Sequence, residues 1–192
     1  MSVGQDRDVR YVGVTIELPE PFRTELTSWR KQLGDPSAAK IPPHITLLPP
    51  TPLEDEVIAK FSAHLANVAA AHDPFKVRLS GSGTFRPVSP VVFVVLAEGA
   101  PGCGSVQADV RSGPVTRDLP FPYHPHVTVA HDLPEPHLDR ALEELADYEA
   151  EFDAVGFELF ERDDDGYWHA GREFAFGQPI RRSSGWRGLV PC

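Results

Sequence analysis

Cysteine is nearly missing from this 192-residue chain, with only Cys103 and Cys192 present. Two thiols, one of them the last residue, do not build a disulfide framework, so reduced thiols and a cytoplasmic setting are expected. Long apolar runs are missing too. Nothing approaches the roughly 20 residues that cross a bilayer, so no membrane association is expected. The opening stretch MSVGQDRDVR carries no apolar segment, so no secretory leader is expected. Positive charge is scarce, with 18 Lys and Arg against 28 Asp and Glu, a net charge of −10. Proteins that coat nucleic acid through its phosphates are usually basic. Long duplex nucleic acid is therefore not an expected partner, whereas a nucleotide or a chain end needs only a few donors. There is no Cys-x-x-Cys and no His-Glu-x-x-His, so no metal and no other cofactor is expected.

What the chain does have is proline, 20 residues of it, and an ordinary hydrophobic fraction of 41%. That combination favours loops and strand ends over a long-helix bundle. The apolar, β-branched run 9–18 reads as a buried strand. Residues 21–34 follow as a helix opened by Pro21 and stopped by Gly34. HITLL at 44–48 is a second strand, and 53–71 a helix with Leu53, Val57, Phe61, Leu65 and Val68 on one face. Residues 74–81 alternate as a strand. The order then recurs: strand 91–99, helix 101–113, strand 126–130, helix 135–150 and strand 151–161. A last strand covers 166–177.

The two passes overlay at an offset of 82. His44 and His126, Thr46 and Thr128, Tyr11 and Phe93, and Phe75 and Phe157 are each separated by that number. A duplicated β-α-β-α-β unit is expected, spanning roughly 9–81 and 91–177 within one two-lobed domain over 1–192. Residues 178–192 read as a tail.

The histidines carry the chemistry. Residues two apart on a strand share a face, so His44 and Thr46 stand together with Ile45 and Leu47 behind them. His126 and Thr128 repeat this with Val127 and Val129. If the halves face each other, two imidazoles and two hydroxyls meet across a cleft. Cleaving a phosphodiester needs a base for the nucleophile and an acid for the leaving oxygen. Imidazole can serve as either near neutral pH. Hydroxyls can donate to the non-bridging oxygens.

The paired motifs HITL and HVTV, in a duplicated α/β chain of this length, resemble the 2H phosphoesterase superfamily. The particular similarity is to its bacterial 2′-5′ RNA ligase-like, or RNA 2′,3′-cyclic phosphodiesterase, branch. It covers roughly residues 9–177. The resemblance implies an α+β fold of two pseudo-symmetric lobes, with antiparallel sheets lining a central cleft and helices outside. It implies His44, His126, Thr46 and Thr128 as the catalytic set. It also implies metal-free opening of a 2′,3′-cyclic phosphate, at an RNA terminus or in a small nucleotide, to the 2′-phosphate. Reverse 2′-5′ ligation is the companion activity. Cleavage of 2′,5′-phosphodiesters, and a non-catalytic module that holds nucleotides or RNA ends in the same cleft, are the alternatives. Many relatives carry a basic residue three positions after the second threonine, where this chain has His131. A monomer is expected.

Tyr123 and Lys40 precede the motifs by three and four residues and are candidate substrate contacts, as are His124 and His131. Strand parity lets His124 and His126 share a face but puts His131 on the other. His64, His72 and His137 read as surface residues. Trp29, Trp168, Phe174 and Phe176 read as core, and RDDDG at 162–166 as a polar turn.

Overall fold

The structure is a computed structural model that describes residues 9–118 and 120–177. The expected tail, 178–192, lies outside the described residues. Strand β1 (Val9–Glu17) leads into α1 (Phe22–Gln32), a short 3-10 turn (Pro36–Ala39) and β2 (His44–Glu54). Then come α2 (Asp55–Ala71), β3 (Phe75–Thr84), β4 (Val91–Glu98), α3 (Ala100–Val110) and β5 (His126–His131). The chain finishes with α4 (Glu135–Glu144), β6 (Glu149–Ala154), β7 (Gly156–Arg162) and β8 (Trp168–Ala175). Among the described residues no helix is long and apolar enough to cross a membrane.

Among the described residues the eight strands form one sheet in the order β6-β3-β4-β5-β2-β1-β7-β8, with every pairing antiparallel. Exchanging β1 with β4, β2 with β5, β3 with β7 and β6 with β8 reproduces this order, which is the expected pseudo-symmetry. The halves meet at one register pair, Ile45 opposite Val127. The third strand of each unit crosses over: β3 pairs with β4 and β7 pairs with β1. One residue, Val155, separates β6 at one edge of the sheet from β7 near the other. Two peptide steps span at most about 7 Å, so the sheet must curl until the end of β6 and the start of β7 come that close. That curl makes it a half-barrel. It also divides the expected strand 151–161 into two, because its ends pair with different neighbours.

The constant offset of 82 holds for β2 and β5 only. Thr15 faces Thr46 and Phe93 faces Thr128, so β1 and β4 correspond at 78 (93 minus 15). Thr15 also faces Glu158, and Phe93 faces Gly83, so β3 and β7 correspond at 75 (158 minus 83). Tyr11 with Phe93, and Phe75 with Phe157, are therefore not equivalent positions. The differences have visible sources. Helix α2 has 17 residues and α4 has 10, which accounts for the seven residues between 82 and 75. The loop before β2 runs over 33–43 and the loop before β5 over 111–125, which accounts for the other four.

Strand β2 extends through Pro49, Pro50 and Pro52, six residues beyond the expected HITLL. Proline cannot donate to a ladder, but β5 pairs with β2 only at Ile45, so this half of β2 needs no donors on that side. Helix α4 stops at Glu144 rather than 150, because Glu149 is already paired with Ser80 of β3. Leu145 and Tyr148, expected on its apolar face, are still buried. Ile45, Leu47, Val127 and Val129 are fully or almost fully buried in the core with Phe61, Leu65 and Leu138 from α2 and α4. Their alternates are left on the opposite face of the sheet.

Candidate active site

The pair Ile45 and Val127 sits at the centre of the site. One step either way along two antiparallel strands, His44 comes opposite Thr128, and Thr46 opposite His126. Ile45 and Val127 point into the core, so these four side chains share the other face. Two imidazoles occupy one diagonal of a rectangle and two hydroxyls the other. All four are part-buried. Among the described residues, neither threonine hydroxyl is bonded to another protein group.

Both imidazoles are held the same way. His44 Nδ1 lies 2.7 Å from the Pro42 carbonyl oxygen, and His126 Nδ1 lies 2.7 Å from that of His124. A carbonyl only accepts, so Nδ1 carries the proton in each ring. The neutral forms therefore present a bare Nε2. The hydrogen bond fixes the tautomer and the ring orientation, as carbonyl partners do for working histidines elsewhere.

A shared bulge follows each motif. Val14 faces Leu48 while Thr15 faces Thr46, which leaves Leu47 as an extra residue. Val92 faces Ala130 while Phe93 faces Thr128, which leaves Val129 extra. Leu47 and Leu48, and Val129 and Ala130, are consecutive buried residues, as a bulge permits. The bulge corrects the placement of His131. It faces Val91, Thr128 faces Phe93, and Val91 and Phe93 are two apart on one strand, so His131 lies on the face of Thr128. Simple alternation fails here because the extra residue resets it. The His131 ring is exposed, with Nε2 3.3 Å from the Asp132 carboxylate.

Beyond the motifs the two sides differ. His44 packs on Trp168, with ring centroids 4.5 Å apart, and Trp168 stacks flat on Phe160 at 3.6 Å and 10°. Gly13 makes room for this stack, since a Cβ there would run into the Phe160 ring. Behind His44, Arg30 pairs with Asp35 at 2.8 Å, both side chains only 7% exposed, and donates to the Ile41 carbonyl. That contact anchors the chain three residues before His44. Burial is the main cause that pushes the His44 pKa down to about 4. The Pro42 carbonyl opposes it, and the charges of Arg30 and His126 add to it.

His126 stands against Phe85 and Phe93, at 4.9 and 5.2 Å between ring centroids. Its pKa is also lowered, first by burial, then by the charge of His124, with the His124 carbonyl opposing. On this side a cavity of about 540 Å³ opens, lined by Thr46, Phe85, Val88, Phe121, Tyr123 and His126 among others, mostly apolar. Tyr123 donates its hydroxyl to the Thr46 carbonyl at 3.0 Å and so joins the loop to β2. The exposed His124 also lines the cavity, its ring 5.4 Å from Phe85 and from Phe93.

Lys40 is placed elsewhere. Its ammonium donates to the Asp165 carbonyl at 2.8 Å and lies 4.8 Å from the Tyr167 ring centroid. It thus belongs to the RDDDG turn, where Asp163 accepts from the Tyr167 amide and holds His169. His64 and His72 are not idle surface residues, since both reach Asp109 of α3, at its carbonyl and its carboxylate. Sequence reading missed Trp168 and Arg30. Trp168 follows His44 by 124 positions with no motif around it. Arg30 looked like any helix arginine, and only its pairing with Asp35 distinguishes it. Among the described residues no three His, Cys, Asp or Glu side chains form a metal-binding group.

Residues 18–166 match the 2′-5′ RNA ligase superfamily. The chain belongs to that family. A Bacillus thuringiensis (strain Al Hakam) protein, named only as a phosphoesterase, is 26% identical over 169 residues, covering 87% of this chain and 97% of its own. The fold is that of Escherichia coli LigT, solved with NADP+, at a TM-score of 0.66 and 20% identity, covering 89% of this chain and all of LigT. A Thermus thermophilus structure gives a TM-score of 0.65 at 21% identity, over 87% of this chain and 98% of that one.

Proposed function

We propose that this family member is a metal-independent phosphoesterase that opens 2′,3′-cyclic phosphates to 2′-phosphates. The observation that carries this reading is the diagonal of two imidazoles, each with Nδ1 tied to a carbonyl and Nε2 bare, crossed by two unengaged hydroxyls. With the phosphorus over that rectangle, Thr46 and Thr128 donate to the two non-bridging oxygens. Water attacks phosphorus and gives its proton to Nε2 of one histidine. The P–O3′ bond breaks, and Nε2–H of the other histidine delivers a proton to the departing 3′ oxygen. Proton exchange with solvent resets the pair. We assign His44 as base and His126 as acid, because the deeper burial of His44 beside Trp168 and Arg30 favours its neutral form. The reverse course is 2′-5′ joining. LigT has been crystallised with 3′-AMP and with ATP, which supports a nucleotide in the corresponding cleft.

The test is hydrolysis of adenosine 2′,3′-cyclic phosphate in excess EDTA, with the product identified as the 2′- or 3′-phosphate. Turnover to the 2′-phosphate is expected. Activity that vanishes on chelation and returns with zinc would overturn the metal-free mechanism. Binding with no turnover would favour a non-catalytic module.

A further inference from the structure

A second cavity, of about 470 Å³, lies beside Pro42 and Trp168, the two residues that hold the His44 ring. One wall is a stripe of α1: Arg23, Thr24, Thr27, Ser28 and Lys31, spaced three and four apart as residues on one helix face are. Lys40, Tyr167 and Trp168 line it from outside that helix. Three cations therefore meet one acid, Glu20, in a chain that carries −10. Their engagement is unequal. Arg23 is held by Glu17 and Glu20, at 3.2 and 3.0 Å. Lys40 is bonded only to the uncharged Asp165 carbonyl and lies over the Tyr167 ring. Among the described residues the Lys31 ammonium and the Thr27 hydroxyl have no partner.

The other half of the molecule has no such stripe. Helices α1 and α3 both have 11 residues and correspond at 78 throughout. At the five positions of the stripe α3 carries Pro101, Gly102, Ser105, Val106 and Asp109. Phe75 packs against Gly102, and Asp109, in the place of Lys31, takes His72. The duplicated fold thus does not require cations and hydroxyls on this face.

We propose that this cavity is a phosphate-binding site separate from the His–Thr rectangle. Lys31 and Lys40 supply the charge and the Thr27 hydroxyl a further donor. A lysine ammonium is a point charge with three donors, suited to a phosphate oxygen, and a hydroxyl can serve another oxygen of the same group. Trp168 is a wall common to both sites, since it lines this cavity and packs on His44. The phosphate belongs either to the molecule whose other phosphate the rectangle holds or to a separate anion; the recognising chemistry is the same.

Equilibrium dialysis with labelled inorganic phosphate counts the sites. Replacing Thr46→Val and Thr128→Val together removes the hydroxyl donors of the rectangle, and this variant should still bind one phosphate, more weakly as salt rises. In the same background Lys31→Ala should weaken that binding roughly five- to thirtyfold, between the worth of an exposed ion pair and that of a charged hydrogen bond. Lys31→Arg should keep most of it. Lys31 is exposed, so the fold does not depend on it. No saturable phosphate binding in the double threonine variant, or binding unchanged by Lys31→Ala, would overturn the proposal. Two nucleotides then identify the source, an arm that rests on the rectangle holding the 2′-phosphate. If both phosphates belong to one molecule, adenosine 2′,5′-bisphosphate should bind tighter than adenosine 2′-phosphate, and Lys31→Ala should remove the gain. If the second is a separate anion, the two nucleotides should bind alike and inorganic phosphate should still bind the protein saturated with adenosine 2′-phosphate. Equal binding without that further phosphate would also overturn the site. Phosphate binding that Lys31→Ala weakens, in a protein that hydrolyses no cyclic phosphate, would instead count against the phosphoesterase reading and leave this one standing.

Discussion

Two halves of one sheet meet at Ile45 and Val127, and they carry the same motif in different settings. On the first side His44 is walled by Trp168 on Phe160 and backed by the buried pair of Arg30 and Asp35. On the second side His126 leans on Phe85 and Phe93 and opens onto an apolar cavity. What the two halves share is the rectangle itself: the i−2 carbonyl on each Nδ1, the hydroxyl two residues on, and the bulge after it. What differs is the surround, through a helix shorter by seven residues and a loop longer by four. The shared part suits one phosphate, which is nearly two-fold symmetric about its non-bridging oxygens. The divergent part suits the rest of a substrate, which has no such symmetry, and it is the basis for the proposed assignment of His44 as base and His126 as acid.

The largest effects should come from removing the histidines. His44→Ala and His126→Ala should each lower turnover of a cyclic nucleotide by about two to four orders of magnitude. The double variant should lose far less than the product of the two, because the pair works as a unit. A nitrophenyl phosphodiester tells the two sides apart. Its leaving oxygen needs no proton, so His126→Ala should lose little on it while His44→Ala loses as much as before. Equal losses would remove the role assignment. The reverse pattern would exchange the roles.

The threonines come next and should behave alike. Thr46→Val and Thr128→Val keep the β-branched shape that suits a strand and delete the donor. Each should cost roughly ten- to a thousandfold in kcat with the fold intact, which circular dichroism and thermal melting can check. The upper figure is what a single oxyanion donor is worth in other enzymes. Normal turnover in both variants would make these hydroxyls ordinary strand residues.

Much of this was legible in the sequence, and the limit has a physical form. Strand identity and the facing of His44, Thr46, His126 and Thr128 follow from local alternation. The α+β architecture follows from the order of elements and from the family resemblance. Register does not follow. A bulge adds one residue without marking the sequence, so alternation alone puts His131 on the wrong face, and a single offset of 82 cannot hold throughout. Contacts made by the fold alone were also invisible. Trp168 meets His44 only because β8 lies beyond β7 and β1 in the curled sheet. Arg30 is informative only because Asp35 and the Ile41 carbonyl close on it.

The smallest effect probes the two walls through pH. In the free enzyme, the productive state has one imidazole neutral and one protonated. Both pKa values lie below the ordinary histidine value, His44 at about 4. The kcat/KM optimum should therefore fall on the acid side of neutrality, its acid limb near 4 belonging mostly to His44. Bound phosphate raises both values, so the kcat optimum should lie higher. Burial favours the neutral ring, so exposing either histidine raises its pKa. Trp168→Leu exposes His44 and should move the acid limb upward, which narrows the profile. Phe85→Leu exposes His126 and should move the alkaline limb upward, which broadens it. Narrowing from one wall and broadening from the other is a pattern that general loosening of the site would not give. The apparent values belong to the coupled pair, so each variant should drag the opposite limb slightly, in a direction set by the repulsion between two charged rings. If both variants shifted the same limb, the walls would not act separately. If neither moved a limb, burial by these rings would not be what holds the histidines neutral.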